Sequence, residues 1–440
     1  WAPAAPENFQ PANRPQERAI DIVVIHDIEG TAESAVKWFQ NPKAQVSAHY
    51  VVGAGGRQVW QQVRERDIGW HAGNRDTNAR SIGIEHDGFA YRPGFFDAGL
   101  YERSARLVRD ITNRYRIPRD RQHIIAHAEV PHPTDPTRFG GRSNHTDPGP
   151  YWDWDYYMAL VRNDARAEPL SAPAVIRPGE KLQLTARFTN TGDDPWPLQA
   201  GGRRNDAAQA RGPVYLGVSS SIPGAVSPFY DRASWTSPRF VGPAQGAADT
   251  APGETATFGV TLLGPRVLGT ASEQLRLVKV PVAPRLPVPF GPALSLQMQV
   301  EPWRFIRDAS AGFEAAGWHQ KATAGRPLFW QRATRKQQPE PARWTVPLPI
   351  DGVWEVYTHW PAGRDRSRKV VYEIAAADGA KQVVVDQRKR AGWLPLGRFR
   401  FEGAKPAAVV TLAAEAGAPG TVVADSLRFV GPFPADAEKR

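Results

Sequence analysis

The period of the apolar residues changes at Arg166, and that break constrains the fold more than any other feature of the chain. Before it, short apolar runs alternate with stretches of helical spacing. After it, only strand alternation and turns remain. The first part therefore reads as an α/β domain and the rest as all-β. A chain of 440 residues exceeds one ordinary core, and its 39 glycines and 41 prolines favour short strands and many turns.

Residues 1–18 are polar and Pro-rich and read as an extended arm. Ile20 to Ile25 is an apolar run that delivers His26 at the end of a buried strand. Thr31 to Gln40 reads as a helix with Thr31 at its N-cap and Trp38 and Phe39 inward. Val46 to Val52 and Val59 to Val63 alternate around Gly53-Ala54-Gly55-Gly56, a hairpin pattern. Ser81 to Glu85 and Ile124 to His127 are further strands. Tyr101, Ala105, Val108, Ile111 and Tyr115 recur at helical spacing up to Pro118, and Trp154, Met158 and Val161 mark a closing helix. These elements place the α/β domain at 19–165.

Beyond it, Leu182, Leu184, Ala186 and Phe188 alternate, as do Ala256, Phe258, Val260 and Leu262, each run after a Pro-Gly-Glu turn. Leu294 to Val300 gives a final strand, so 166–302 reads as one β-sandwich. The Pro-rich stretch Pro281 to Pro292 falls inside it. The boundary is expected near Glu301-Pro302. Trp344 to Leu348, Trp354 to Thr358, Val383 to Asp386, Leu396 to Phe401 and Val422 to Val430 make 303–440 a second β-sandwich.

Of the ten histidines, all but His319 and His359 precede residue 146. His26 and His127 end strands, which can aim both at one point. Asp147 follows a loop, and Glu85 closes a further strand. Two imidazoles and a carboxylate, with a fourth position left open, are the ligand set of a catalytic zinc. His49 and His86 read as structural, and His132 as a loop residue. There is no cysteine, which removes disulfides, thiolate ligands and cysteine nucleophiles. The net charge of +10 suits anionic polymers, but no nucleic-acid-binding motif is present. No apolar run approaches the ~20 residues of a membrane helix. The opening Trp1-Ala2-Pro3 reads as a mature N-terminus after signal-peptide removal, so a secreted or envelope-attached protein is expected.

Six ordered segments carry a resemblance: Val23 to His26, Val46 to Tyr50, Trp70-His71-Ala72-Gly73-Asn74, Asn78 with Ser81 to Glu85, Ala126 to Val130, and Thr146 to Gly149. Over residues 20–163 the chain resembles the zinc-dependent N-acetylmuramoyl-L-alanine amidases that include phage lysozyme-type amidases and peptidoglycan recognition proteins. The resemblance implies a mixed central sheet flanked by helices. It also implies His26, His127 and Asp147 as zinc ligands, Glu85 as the catalytic acid–base and His145 as a stabiliser of the oxyanion. Trp70, His71 and Asn78 then match positions lining the peptide groove. The implied reaction cuts the amide between the lactyl group of N-acetylmuramic acid and L-alanine. The chain departs from the family in its long loop Pro131 to Asn144, in His86-Asp87 and in His145, where many relatives carry Lys.

Phe188-Thr189-Asn190-Thr191-Gly192 with Trp196-Pro197 resembles an immunoglobulin-like sandwich, with Trp196 in its core. Gly317-Trp318, Gly352 to Tyr357, Gly392-Trp393 and Ala424 to Leu427 resemble the golvesin and xanthan-lyase carbohydrate-binding-like domain. That resemblance makes Trp318, Trp330, Trp360 and Trp393 candidate sugar contacts, with Trp354 in the core. The expected partners are peptidoglycan glycan strands and stem peptides, and other anionic envelope polymers. A non-catalytic recognition protein and a structural envelope protein are the alternatives.

Overall fold

The computed structural model describes residues 1–56, 58–198, 212–218, 226–280, 287–323, 326–338, 340–389 and 392–434. In chain order the first third contains β1 (Phe9–Gln10), β2 (Ile22–Ile25), α1 (Ala32–Phe39), β3 (Tyr50–Val52), β4 (Val59–Gln61), β5 (Ile68–Gly69), α2 (Arg75–Arg80), β6 (Ser81–His86), α3 (Ala98–Tyr115), β7 (Ile124–Ala126) and α4 (Trp154–Arg162). Its sheet runs β4-β3-β6-β2-β7. β3 and β4 form the expected antiparallel hairpin, and the other pairings are parallel.

Strand alternation divides the two faces. Val23, Ile25, Ile82, Ile84 and Ile124 pack against α3 and α4, whose Leu100, Val108, Ile111, Tyr157 and Val161 complete the core. Ser81, Gly83 and Glu85 of β6 point the other way. α1 starts as expected, with the Thr31 side chain accepting from the Ser34 amide. Its inward stripe is Ala32, Ala35 and Phe39, which meets Val51 of β3. Trp38 is not inward: it is 50% exposed. Adjacent helical residues lie about 100° apart, so one narrow stripe cannot take both Trp38 and Phe39.

The arm packs closely on the domain. β1 pairs with β5, and Ala4, Ala5 and Asn8 are buried. Arg14, 3% exposed, donates to the carbonyls of Asn78, Ala79 and Ser81 from one terminal nitrogen and of Glu65 and Asp67 from the other. Arg14→Ala strands these buried acceptors and should cost about 2–3 kcal/mol in denaturant unfolding. Arg14→Lys should recover little of that, because a single ammonium cannot serve two separated sets of carbonyls.

The next residues form two facing sheets. One holds Thr255–Leu263, Lys181–Asn190 and Ala165–Ala167; the other holds Phe240–Pro243, Val214–Val218, Gly269–Lys279, Val288–Val300 and Val175–Ile176. Trp196, 1% exposed, sits in their common core with Phe188, Phe258 and Phe290. Of the Pro-rich stretch, residues 281–286 lie outside the described residues. Val288 joins the core of the first domain, and Arg276 pairs with Glu102 of α3 at 2.8 Å.

The last part is again all-β, with Trp344, Trp354, Trp360, Tyr372 and Phe429 at its centre. Two of the four tryptophans expected to meet sugars are core residues instead. Trp318 and Trp360 are 8% and 2% exposed, and their indole N–H groups donate to the carbonyls of Glu340 and Gln387. The resemblance places these aromatic residues in the domain, and it does not separate an inward ring from an outward one. Trp330 is half-buried against the His319 ring and Trp393 lies beside Arg428.

Candidate active site

Ligand sites in open α/β sheets gather at the C-terminal ends of parallel strands. Here Ile84, Ile25 and Ala126 are in register across β6, β2 and β7. The next residue on each strand is Glu85, His26 and His127. In-register neighbours of a parallel sheet share a face, so the topology sets these three side chains in one row. Asp147 arrives from a loop whose backbone is tied to the end of β7: the Ala128 amide donates to the Asp147 carbonyl at 3.0 Å. Gly149 lets that loop turn tightly, with φ of +79° and no room for a Cβ beside the Ala90 carbonyl.

His26 Nδ1 lies 3.0 Å from His127 Nδ1 and 3.2 Å from Asp147 Oδ2, and His127 Nδ1 lies 3.2 Å from Asp147 Oδ1. Ligands 2.0–2.1 Å from a tetrahedral zinc are about 3.3 Å from one another, so these separations are close to the edges of such a site. Among the described residues this is the group able to hold a metal ion. The donor set fits zinc. His132 is no rival: its Nδ1 accepts from the amides of Thr134 and Asp135 within its own loop.

The cluster opens on a groove of about 530 Å³. Its polar floor includes Asp27, Glu85 and His145 with the three metal-binding candidates. Ile28, Trp38, Phe39, Val46 and Trp70 form an apolar side. Trp38, misplaced inward by sequence reasoning, thus belongs to the groove. The long loop Pro131 to Asn144 is fastened to the turn after β5: Arg142 N donates to Gly73 O and Asn74 Nδ2 to Pro131 O.

Electrostatics separates the groove's groups. Burial pushes the Glu85 carboxyl well above its ordinary value, and the charges of Asp147 and Asp27 add to it. Burial raises Asp27 to about 7; one of its oxygens is buried with no partner. Burial opposes ionisation of Asp147 too, but the imidazoles of His127, His145 and His26 around it hold it far below the carboxylate range. His26 falls to about 4 through burial and the neighbouring His127. His145 is half exposed and stacks on His127 at 4.3 Å; its hydrogen bond to Asp147 raises it while burial opposes.

Trp70 and His71 are among the residues that line the groove. Asn78 is not. Its Oδ1 accepts from the amides of His71 and Ala72 and so holds the turn that carries them. His49 and His86 are fully buried structural residues. His86 Nδ1 donates to the His26 carbonyl at 2.7 Å, with Ser104 and Tyr157 behind it. No sequence signal pointed to Asp27 or Arg14, and Ser81 stood only as the first residue of a matched strand. Their importance comes from burial, which the local pattern does not reveal.

Residues 16–150 match the family described as N-acetylmuramoyl-L-alanine amidase, and residues 307–431 match the golvesin C-terminal domain. N-acetylmuramoyl-L-alanine amidase A of Achromobacter lyticus is 34% identical over 177 residues, covering 37% of this chain and 92% of that protein. The amidase AmiD of Escherichia coli (strain K12) is 28% identical over 171 residues, covering 34% of this chain and 57% of that protein. Xanthan lyase of Bacillus sp. (strain GL1) is 38% identical over 88 residues, covering 20% of this chain and 10% of that protein. The matched residues 16–150 include the His-His-Asp cluster, the similarity covers nearly the whole of the Achromobacter protein, and the chain therefore belongs to the N-acetylmuramoyl-L-alanine amidase family, with a golvesin C-terminal domain at residues 307–431.

Proposed function

We propose that the chain is a secreted, zinc-dependent amidase that hydrolyses the bond between the lactyl group of N-acetylmuramic acid and the L-alanine of the stem peptide. The observation that carries this reading is the convergence of His26, His127 and Asp147 at ligand spacing in a groove that also holds Glu85. Residues 19–165 are the catalytic domain in this reading. His26 Nδ1, His127 Nδ1 and an Asp147 oxygen would hold the ion. Bound there, zinc supplies Lewis acidity, making water a nucleophile near neutral pH and polarising the scissile carbonyl.

Glu85 has the proton affinity its task requires. Its raised pKa suits it to take the proton of the attacking water and then give it to the departing L-alanine nitrogen. His145, half exposed and stacked on His127, can donate to the oxygen that gains charge as the carbonyl becomes tetrahedral. Trp70 and the apolar side of the groove exclude water from the peptide and position it. The sandwiches at 166–302, immunoglobulin-like in this reading, and 303–440 hold the enzyme on the envelope, where linkage raises the local concentration of substrate.

Digestion of purified peptidoglycan followed by mass spectrometry tests the reading. Stem peptides with a free L-alanine amine are expected from the metal-loaded protein and not after chelation. Wall binding with no release from any sample would move the chain to the recognition class.

A further inference from the structure

We infer that His71 and Ser81 form a proton-ordering chain that fixes the tautomer of His26 and presents its Nδ1 lone pair to the metal. This rests on the reading of His26, His127 and Asp147 as a zinc site, and it gives His71 a positioning role in place of substrate contact.

The chain of donors runs in one direction only. Ser81 Oγ donates its single hydrogen to the Thr77 carbonyl at 2.6 Å, a partner that can only accept. The hydroxyl can therefore only accept from His71 Nε2, 3.2 Å away, which places the His71 proton on that nitrogen. His71 Nδ1 is then a bare lone pair. It lies 3.0 Å from His26 Nε2, so His26 carries its proton there. The remaining nitrogen, His26 Nδ1, faces His127 and Asp147 with its lone pair free. Metal-bound imidazoles commonly rest their second nitrogen on a polar partner in this way. His127 has no such support: its Nε2 is buried without a hydrogen-bond partner. The two histidine ligands are thus unequal, one ordered in advance and one not.

The backbone makes room for this arrangement. His71 packs on the face of β6 where strand period sets Ser81 and Gly83. A Cβ at Gly83 would meet His71 Cγ at 2.4 Å and Nδ1 at 2.6 Å. The Asn78 side chain fixes the His71 amide from below, so both the backbone and the ring of His71 are held.

Two measurements on the full chain test the inference. The first is nitrogen-15 NMR of histidine-labelled, metal-free protein at neutral pH. Both His26 and His71 are expected as the Nε2–H tautomer; finding His26 with its proton on Nδ1 overturns the proposal. The second is zinc affinity by chelator competition. His71→Leu should weaken binding about 10–100-fold. His71→Asn, which can set an amide oxygen near the position of Nδ1, should regain most of that loss. Gly83→Ala should weaken binding with the imidazole chemically intact, and Ser81→Ala should release the His26 tautomer in the NMR experiment even if the other variants fail to fold. Unchanged zinc affinity in His71→Leu overturns the proposal. Absence of zinc binding by the parent protein would defeat the metal reading instead, while the NMR result still decides the tautomer.

Discussion

Glu85→Gln is expected to lower peptidoglycan amidase activity by about 10²–10⁴-fold while making the metal-free protein more stable at neutral pH. The two effects have one origin. Glu85 stands in the row with His26 and His127, where burial and the nearby Asp147 and Asp27 carboxylates disfavour its charge. A carboxyl whose folded pKa is raised holds its proton in the native state at pH values where the unfolded chain has released it. Stability is then fully retained below the unfolded value, near 4.3, and declines as pH rises through the interval above it. Glutamine keeps the shape and removes the titration. The variant should therefore match the parent near pH 4 and exceed it at pH 7 by roughly 0.5–2 kcal/mol, the usual scale for relieving a destabilised functional site. Denaturant titrations of both chelated proteins at the two pH values measure this. Zinc content should be equal in parent and variant, since Glu85 lies outside the group that can hold the ion. Retained activity would remove Glu85 from the chemistry, and lost zinc would place it in the metal site.

The positions of His26, Glu85 and His127 were legible because each ends an apolar run, and a buried strand has only one place to deliver a polar side chain: its end. Asp147 became legible through the Thr146-Asp147-Pro148-Gly149 turn. The β-character of the described residues after Ala165 was equally open, since period-2 alternation is hard to mistake over runs as long as Lys181–Asn190. Orientation within an element was harder. Trp38 and Phe39 are neighbouring aromatic residues, and only the register of Ala32 and Ala35 decides which of them turns inward. Trp318 and Trp360 are aromatic residues near turns, and whether such a ring faces sugar or core depends on the partner sheet, which lies far off in sequence.

What stayed hidden has a common physical character. α2 (Arg-Asp-Thr-Asn-Ala-Arg) carries no apolar period; it exists because Asn74 caps the Thr77 amide and the turn before it is pinned by Asn78. The arm looked unstructured because it is Pro-rich and polar, yet one guanidinium, Arg14, replaces the core it lacks. Asn78 and His71 matched groove positions by motif, but a motif gives proximity to a site and not the direction of a side chain. In both cases the hydrogen-bond partners decide the role: backbone amides for Asn78, and the side chains of Ser81 and His26 for His71, brought near by the fold and not by sequence spacing.

Acidification from pH 7 to 5 should destabilise the metal-free protein, and the sign follows from a balance of buried groups. Burial lowers His49 and His86 to about 3 and His26 to about 4, and it takes His71 well below its ordinary value. Each of these takes up a proton on unfolding once the pH is below the unfolded value near 6.5, so each contributes stability that is complete above 6.5 and lost as pH falls toward the folded value. Asp27 and Glu85 act oppositely: both are raised, and both hold protons in the native state that the unfolded chain releases. Four lowered histidines outnumber the two raised carboxyls and the half-exposed His145, which its hydrogen bond to Asp147 raises, so unfolding takes up protons on balance. At about 1.4 kcal/mol per pH unit for each proton, the loss grows as pH falls from 6.5 to 5. Unfolding free energies from denaturant titration at pH 7, 6 and 5 should trace this decline. Asp27→Asn combined with Glu85→Gln removes the opposing pair and should steepen the slope. A flat profile in the parent would mean that the four imidazoles are hydrated rather than sealed. It would also remove the basis for a preordered His26, because an imidazole open to water exchanges its two tautomers freely.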